Sequence, residues 1–284
     1  MKESVLGLPK GSLFPKVGKI INRIGIEIPR GRKAVCECEC AGVFKEIAVL
    51  RPQMIPWLVS KGFLKAGICG RDCVFEAGLQ NELLEIAVLP FGKNSDSAVK
   101  IAVFGKKSHL IDHPETIVFS EYPYLTAGVF KKAAIVPSDG ATEALVEVVS
   151  QMHSLVYGVG VVETGASLQA NALKIVKVIM ESPVILIAKE KTPELEIFGR
   201  ILAGALESEK HYLLKFNFAA ASGKLEEIIK NLPAQKSPTI NKLADGFFAV
   251  ETVIPKKSAG GLMIRLQTEG ATGILLTEIN SLIA

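Results

Sequence analysis

The run from Leu155 to Val162 is apolar throughout and stops at Glu163-Thr164-Gly165-Ala166-Ser167. A short apolar run bounded by small and polar residues is how a strand buried on both faces reads, and such strands sit in parallel sheets covered by helices. The same alternation recurs along the chain. Ser4 to Leu8 reads as a strand, and Leu13 to Ile24 then sets Phe14, Val17, Ile20, Ile21 and Ile24 at helical spacing. Ala34 to Ala41 alternates, Glu46 to Leu50 is a short apolar run, Ile55 to Gly62 reads as a helix stopped by its glycine, and Ala66 to Cys69 is a buried strand. This order predicts an α/β fold with mostly parallel sheet.

A second block opens near Ala98. Val99 to Phe104, Ile117 to Phe119, Ala134 to Pro137 and Leu155 to Val162 read as strands; Tyr124 to Lys132, Thr142 to Gln151 and Leu168 to Met180 read as helices. Val184 to Ala188 is a late strand placed to return to the first sheet. Lys189 to Glu194 is a polar linker, and Leu195 to Leu206 is helical. From about His211 the order becomes strand, helix, edge strand after Pro238, strand, helix, strand, a ferredoxin-like plan. The predicted division is 1–95 with 182–207 as one lobe, 96–181 as a second, and 208–284 as a separate unit, with chain crossings near Pro90 to Ser97 and near Glu181 to Pro183.

Composition removes several classes. Hydrophobic residues make up 49% and charged residues 22% of 284, with a net charge of +4. That excess is too small and too scattered for a nucleic-acid binder, though it suits phosphorylated small molecules. No window has the apolar length of a membrane helix, and the start lacks the apolar core of a signal peptide, so a cytoplasmic location is expected. Cys36, Cys38 and Cys40 alternate on one strand; a tetrahedral metal site needs four ligands from converging segments, so they read as small buried hydrophobes and no metal ligand set is assigned. His109, His113, His153 and His211 have neither ligand spacing nor a triad partner.

Three strand-to-helix junctions carry chemistry. At Glu163-Thr164-Gly165-Ala166-Ser167-Leu168 the helix amides, the Thr164 and Ser167 hydroxyls and the close approach allowed by Gly165 suit a phosphate, and plain capping by Thr164 or Ser167 fits the same residues. At Leu8-Pro9-Lys10-Gly11-Ser12-Leu13, Lys10 stands at a strand end where α/β ligands bind, or is a solvated turn lysine. Ala66-Gly67-Ile68-Cys69-Gly70-Arg71-Asp72 is the third, and a purely structural role for Gly70 and an Asp72 cap fits the same residues.

Together these segments resemble the ATP phosphoribosyltransferases of the long class. Leu8 to Leu13 resembles the opening motif; Arg51-Pro52-Gln53 with Ile55-Pro56 and Ala66 to Asp72 resemble the next block. Tyr122-Pro123 with Leu125-Thr126, Gly140 to Ala144, and Glu163 to Leu168 with Ala170-Asn171 and Leu173 follow in family order. Leu232-Pro233, Ser237-Pro238-Thr239 and Gly270 to Leu275 resemble the C-terminal histidine-sensing domain. The resemblance implies two α/β lobes like a periplasmic binding protein and an ACT-like regulatory domain. It implies attack of ATP, through adenine N1, on C1 of phosphoribosyl diphosphate, with Mg2+ on the departing pyrophosphate. Lys10, Glu143 and Glu163 are the implied catalytic residues. Glu163, Thr164, Gly165, Ala166, Ser167 and Leu168 would form the phosphoribosyl diphosphate loop; Gly11, Arg51, Cys69 and Gly70 would lie on the ATP side. Ser237, Thr239, Ala271 and Thr272 would take histidine as inhibitor. A homodimer or hexamer, and a hinge between lobes, are also implied.

The sequence departs from the family at identifiable places. Two carboxylates usual in the strand before the phosphate loop, near the ribose hydroxyls, fall here on Val156 and Gly160. Lys65, Cys69, Gln169, Ala172 and Asp139 stand where the family has aspartate, threonine, arginine, glycine and an aromatic. Two readings stay open: an active enzyme in which Glu143 or Glu163 takes over ribose contacts, and a catalytically silent paralogue that binds ligands or regulates.

Overall fold

The computed structural model describes residues 4–28, 35–40, 42–92, 97–219, 223–244 and 246–283, with only the backbone at 39 and 40. The chain divides into one unit of residues 1–22 with 26–199 and a second of 23–25 with 200–284.

The first unit holds two sheets. Strand β1 (Val5–Pro9) is buried along its whole length and leads through a 3-10 turn into helix α1 (Phe14–Arg23), whose Val17, Ile20 and Ile21 are buried. Strands β2 (Val35–Cys40) and β3 (Phe44–Leu50), helix α2 (Ile55–Ser60), strand β4 (Ala66–Gly70), helix α3 (Arg71–Glu76) and strand β5 (Leu84–Leu89) follow. In β2, Cys36 and Cys38 are half-buried while Val35 and Glu37 are exposed, the expected alternation; Ala34 and Ala41 lie outside the described residues. The chain then enters the second sheet with β6 (Val99–Gly105), β7 (Ile117–Ser120), helix α4 (Pro123–Val129), β8 (Ala134–Pro137), helix α5 (Thr142–Val149), β9 (Val156–Val162), helix α6 (Ala166–Ala170) and β10 (Lys174–Ser182). It returns as β11 (Val184–Ala188), buried throughout, between β4 and β5. The first crossing falls between Leu89 and Val99, partly outside the described residues, and the second at Pro183.

The expected helix from Leu168 to Met180 is not formed. Helix α6 ends at Ala170, and Lys174–Ser182 is an edge strand antiparallel to β6. Ile175, Val176, Val178 and Ile179 are β-branched and favour a pleated surface over a helix. Their apolar spacing imitates a helical stripe only because β10 carries two register irregularities against β6. Strand β5, only partly buried, had no sequence reading; it joins the first sheet by antiparallel pairing with β11.

The second unit contains most of helix α7 (Pro193–Ser208), then β12 (His211–Ala219), helix α8 (Leu225–Lys230), β13 (Thr239–Lys242), β14 (Phe247–Pro255), helix α9 (Ala259–Thr268) and β15 (Thr272–Glu278). The antiparallel sheet runs β13-β14-β12-β15, the ferredoxin-like order. Leu214, Phe216 and Phe218 alternate inward from β12 against Ile228 of α8 and Leu262 and Leu266 of α9, forming a core of its own.

Candidate active site

In the second sheet β7 is parallel to both β8 and β9, so all three end on one edge, where ligands of open α/β sheets bind. The junction after β9 is the predicted phosphate loop. Val162 and Leu168 are buried in the core under it, while Thr164, Ala166 and Ser167 are exposed between them. Gly165 turns the chain at φ 76, a left-handed value that a side chain disfavours. The first helical amides have no carbonyl of their own helix to bond. Thr164 Oγ1 accepts from Ala166 N at 3.4 Å, a weak contact that leaves the loop largely unlocked.

Two further loops meet this one. Ser167 Oγ donates to Glu143 Oε1 at 2.9 Å, so the structure brings the implied catalytic Glu143, on α5, onto the loop. Thr142 Oγ1 donates to Glu121 Oε1 at 3.0 Å and exchanges a hydrogen bond with Ser138 Oγ at 2.8 Å. Glu121 is half-buried directly after β7 and was not singled out from the sequence. Burial first, and then the negative charges of Glu143 and Asp139, hold its carboxyl above the usual glutamate range, partly offset by the Thr142 hydrogen bond. Val156 lies at the opposite end of β9, packed with Phe104, Val146 and Phe119 in an apolar core.

In the first sheet β3, β1 and β4 are parallel neighbours. Pro9 pairs with Leu50, and Lys10 N donates to Leu50 O at 2.6 Å, so Lys10, Gly11 and Arg51 emerge exposed at one edge, with Gly70 at the end of β4. Gly11 has φ 84, and a Cβ added there would meet no atom within 4 Å, so glycine is needed for backbone conformation rather than space. The Cys69 side chain does not reach this edge. It is fully buried among Ile55, Val59 and Ile185, and burial pushes its thiol far up.

The two sheets are joined by a buried polar knot at the second crossing. Asp72, at the start of α3, accepts from Tyr122 Oη at 3.0 Å and from Ser182 Oγ, and its amide donates to Ser182 Oγ at 2.8 Å. Glu76 accepts from the amides of Tyr124 and Leu125 at 2.8 and 3.0 Å, capping α4 from the other sheet's helix. Asp72 thus ties the lobes together in addition to its place in the first turn of α3.

In the C-terminal unit Ser237 and Thr239 line a cavity of about 300 Å3 with Lys236, Glu251 and Leu213. Ala271 and Thr272 do not. Ala271 is in the core, and Thr272 pairs with Asn217, at the other end of β12 from Leu213. Among the described residues no group of three or more His, Cys, Asp and Glu is arranged to hold a metal ion, and no helix is long and apolar enough to cross a membrane.

Two sheets crossed twice by the chain, with glycine-turned loops at their strand ends, define a two-lobed α/β unit of the periplasmic-binding-protein type. The chain belongs to the ATP phosphoribosyltransferase family: that family's model matches residues 51–205, and the model of the HisG C-terminal domain matches 209–281. It is 29% identical to the ATP phosphoribosyltransferase of Thermodesulfovibrio yellowstonii, with all of both chains covered, and 30% identical to that of Koribacter versatilis over 98% of each. Among solved structures, the ATP phosphoribosyl transferase (HisG:HisZ) complex from Thermotoga maritima shares the fold at TM-score 0.53 and 21% identity, covering 66% of this chain and 87% of that one.

Proposed function

We propose that this chain transfers the phosphoribosyl group from phosphoribosyl diphosphate to N1 of ATP, the first step of histidine biosynthesis. The N1 lone pair forms the new bond to C1 as the C1–O bond breaks, and pyrophosphate leaves with the electron pair. Such a reaction is driven by positioning and charge stabilisation, and needs no covalent nucleophile. The loop Glu163 to Leu168 would hold the 5′-phosphate, with Lys10 facing substrate phosphates and Gly11, Arg51 and Gly70 on the ATP side. Mg2+ would be held chiefly by the diphosphate of the substrate, as suits an ion that keeps its waters, and would neutralise charge on the leaving group.

The observation that carries this reading is the β9–α6 loop, turned at Gly165 and joined to Glu143 by Ser167, lying within the segment that the family model matches. The silent-paralogue reading is not favoured, because relatives bearing the enzyme's name align along the whole chain. Histidine would bind the cavity at Ser237 and Thr239, where Lys236 offers a positive charge and Glu251, itself paired with Lys215 at 2.7 Å, a negative one. A homodimer or hexamer in the cytoplasm completes the reading.

The test is to mix the protein with ATP, phosphoribosyl diphosphate, Mg2+ and pyrophosphatase and follow phosphoribosyl-ATP by absorbance. Turnover suppressed by histidine is expected; absence of product at high enzyme concentration would refute the assignment.

A further inference from the structure

The position at 160 does not lack a carboxylate in space, only in sequence. Ser120 of β7 pairs with Val159 of β9, and Glu121 N donates to Val159 O at 3.0 Å, which sets Glu121 beside Gly160. A Cβ on residue 160 would stand 3.2 Å from Glu121 Oε1 and 3.6 Å from its Cδ. Gly160 is not among the residues with positive φ, so glycine serves here to leave room and not to permit a turn. We propose that Glu121 supplies the ribose-binding carboxylate from the neighbouring strand, in the space that Gly160 leaves open. The inference rests on the phosphoribosyl-transfer reading above.

Three features support it. Thr142 fixes the carboxylate through one of the roughly four acceptor sites such a group offers, leaving others for a ligand. No Lys or Arg pairs with it among the described residues, so its half-buried charge is not explained by an internal ion pair. It lies on the same sheet edge as the phosphate loop. A carboxylate there repels phosphate oxygens, accepts from vicinal hydroxyls, and favours positive charge developing at C1. Val156 lies four residues back along β9, about 13 Å from Gly160 at strand rise, inside the apolar core.

The test compares Glu121→Gln, Glu121→Ala, Gly160→Asp and the double variant Glu121→Ala/Gly160→Asp with the unaltered protein. Steady-state turnover is measured, with calorimetric binding of Mg2+–phosphoribosyl diphosphate alongside. The single Glu121 variants should lose about ten- to a hundredfold in kcat/KM for phosphoribosyl diphosphate, with KM for ATP unchanged. Gly160→Asp should also lose activity, because its side chain crowds Glu121 and places two carboxylates together. The double variant should recover at least tenfold over Glu121→Ala. Turnover by the unaltered protein with Glu121→Ala and Glu121→Gln within threefold of it would overturn the inference and leave the function intact. If the unaltered protein shows no turnover, the function falls and binding decides the inference: a tenfold weaker Kd in the Glu121 variants upholds the contact, and an unchanged Kd or no binding overturns it.

Discussion

Replacing Ala172 by glycine should stabilise the protein. Helix α6 ends in a Schellman motif: Leu173 N donates to Leu168 O at 2.8 Å and Ala172 N to Gln169 O at 3.1 Å, with Leu168 and Leu173 both in the core below. The motif requires its penultimate residue in the left-handed region, and Ala172 takes φ 51 there, one of two such non-glycine residues among those described. An L-residue in that conformation costs about 1–2 kcal/mol. Glycine removes the strain but frees the unfolded chain, returning about 0.4–1 kcal/mol. Ala172 is exposed, so no cavity or contact enters the balance. The net expectation is about 0.5–1 kcal/mol of added stability, or ~1–4 °C in Tm for a unit of this size. Denaturant unfolding followed by fluorescence of Trp57, the single tryptophan, reports on this unit. The midpoint should rise at constant slope, and Ala172→Val should lower it. A midpoint that is unchanged or lower in Ala172→Gly would refute the strain argument.

Other outcomes follow from the same geometry. Tyr122→Phe keeps the ring and deletes the hydrogen bond to Asp72 across the two sheets, so unfolding free energy should fall by about 1.5–3 kcal/mol; a loss under about 0.5 kcal/mol in denaturant titration, the low end for a single hydrogen bond, would show the knot to be idle. Because burial, Glu143 and Asp139 raise the Glu121 carboxyl, the acid limb of kcat/KM should lie above the ordinary glutamate range and move down in Glu121→Gln. The stability sign is opposite. The fold favours the protonated form, so the stability Glu121 adds is full below the ordinary glutamate value and is lost as pH rises through its raised one. Ser237→Ala with Thr239→Val should weaken histidine inhibition about tenfold or more without changing kcat; unchanged inhibition would move the effector elsewhere.

What could be read from the sequence was local. The strand-to-helix junctions at Lys10, Gly70 and Gly165 are marked by glycine and a change of apolar period within a few residues, and the structure has them there. The same holds for the ferredoxin-like order after His211. Local spacing failed at β10, where β-branched residues with register shifts imitate a helix and the signal that ends α6, usually a glycine, is Ala172. It failed at Cys69, whose side chain the pleat turns into the core. Glu121 was hidden for a different reason: its place beside Gly160 is set by the register of β7 on β9, between residues far apart in the chain. Asp72 and Ser182, 110 positions apart, were hidden in the same way.

The most direct test of the central claim is to watch the loop itself. In protein labelled with 15N, Mg2+–phosphoribosyl diphosphate should shift the amide resonances of Gly165, Ala166 and Ser167 with saturation, while those of the Ser237–Thr239 cavity remain in place. Saturable shifts confined to other parts of the chain, with the three loop amides unmoved, would contradict the account.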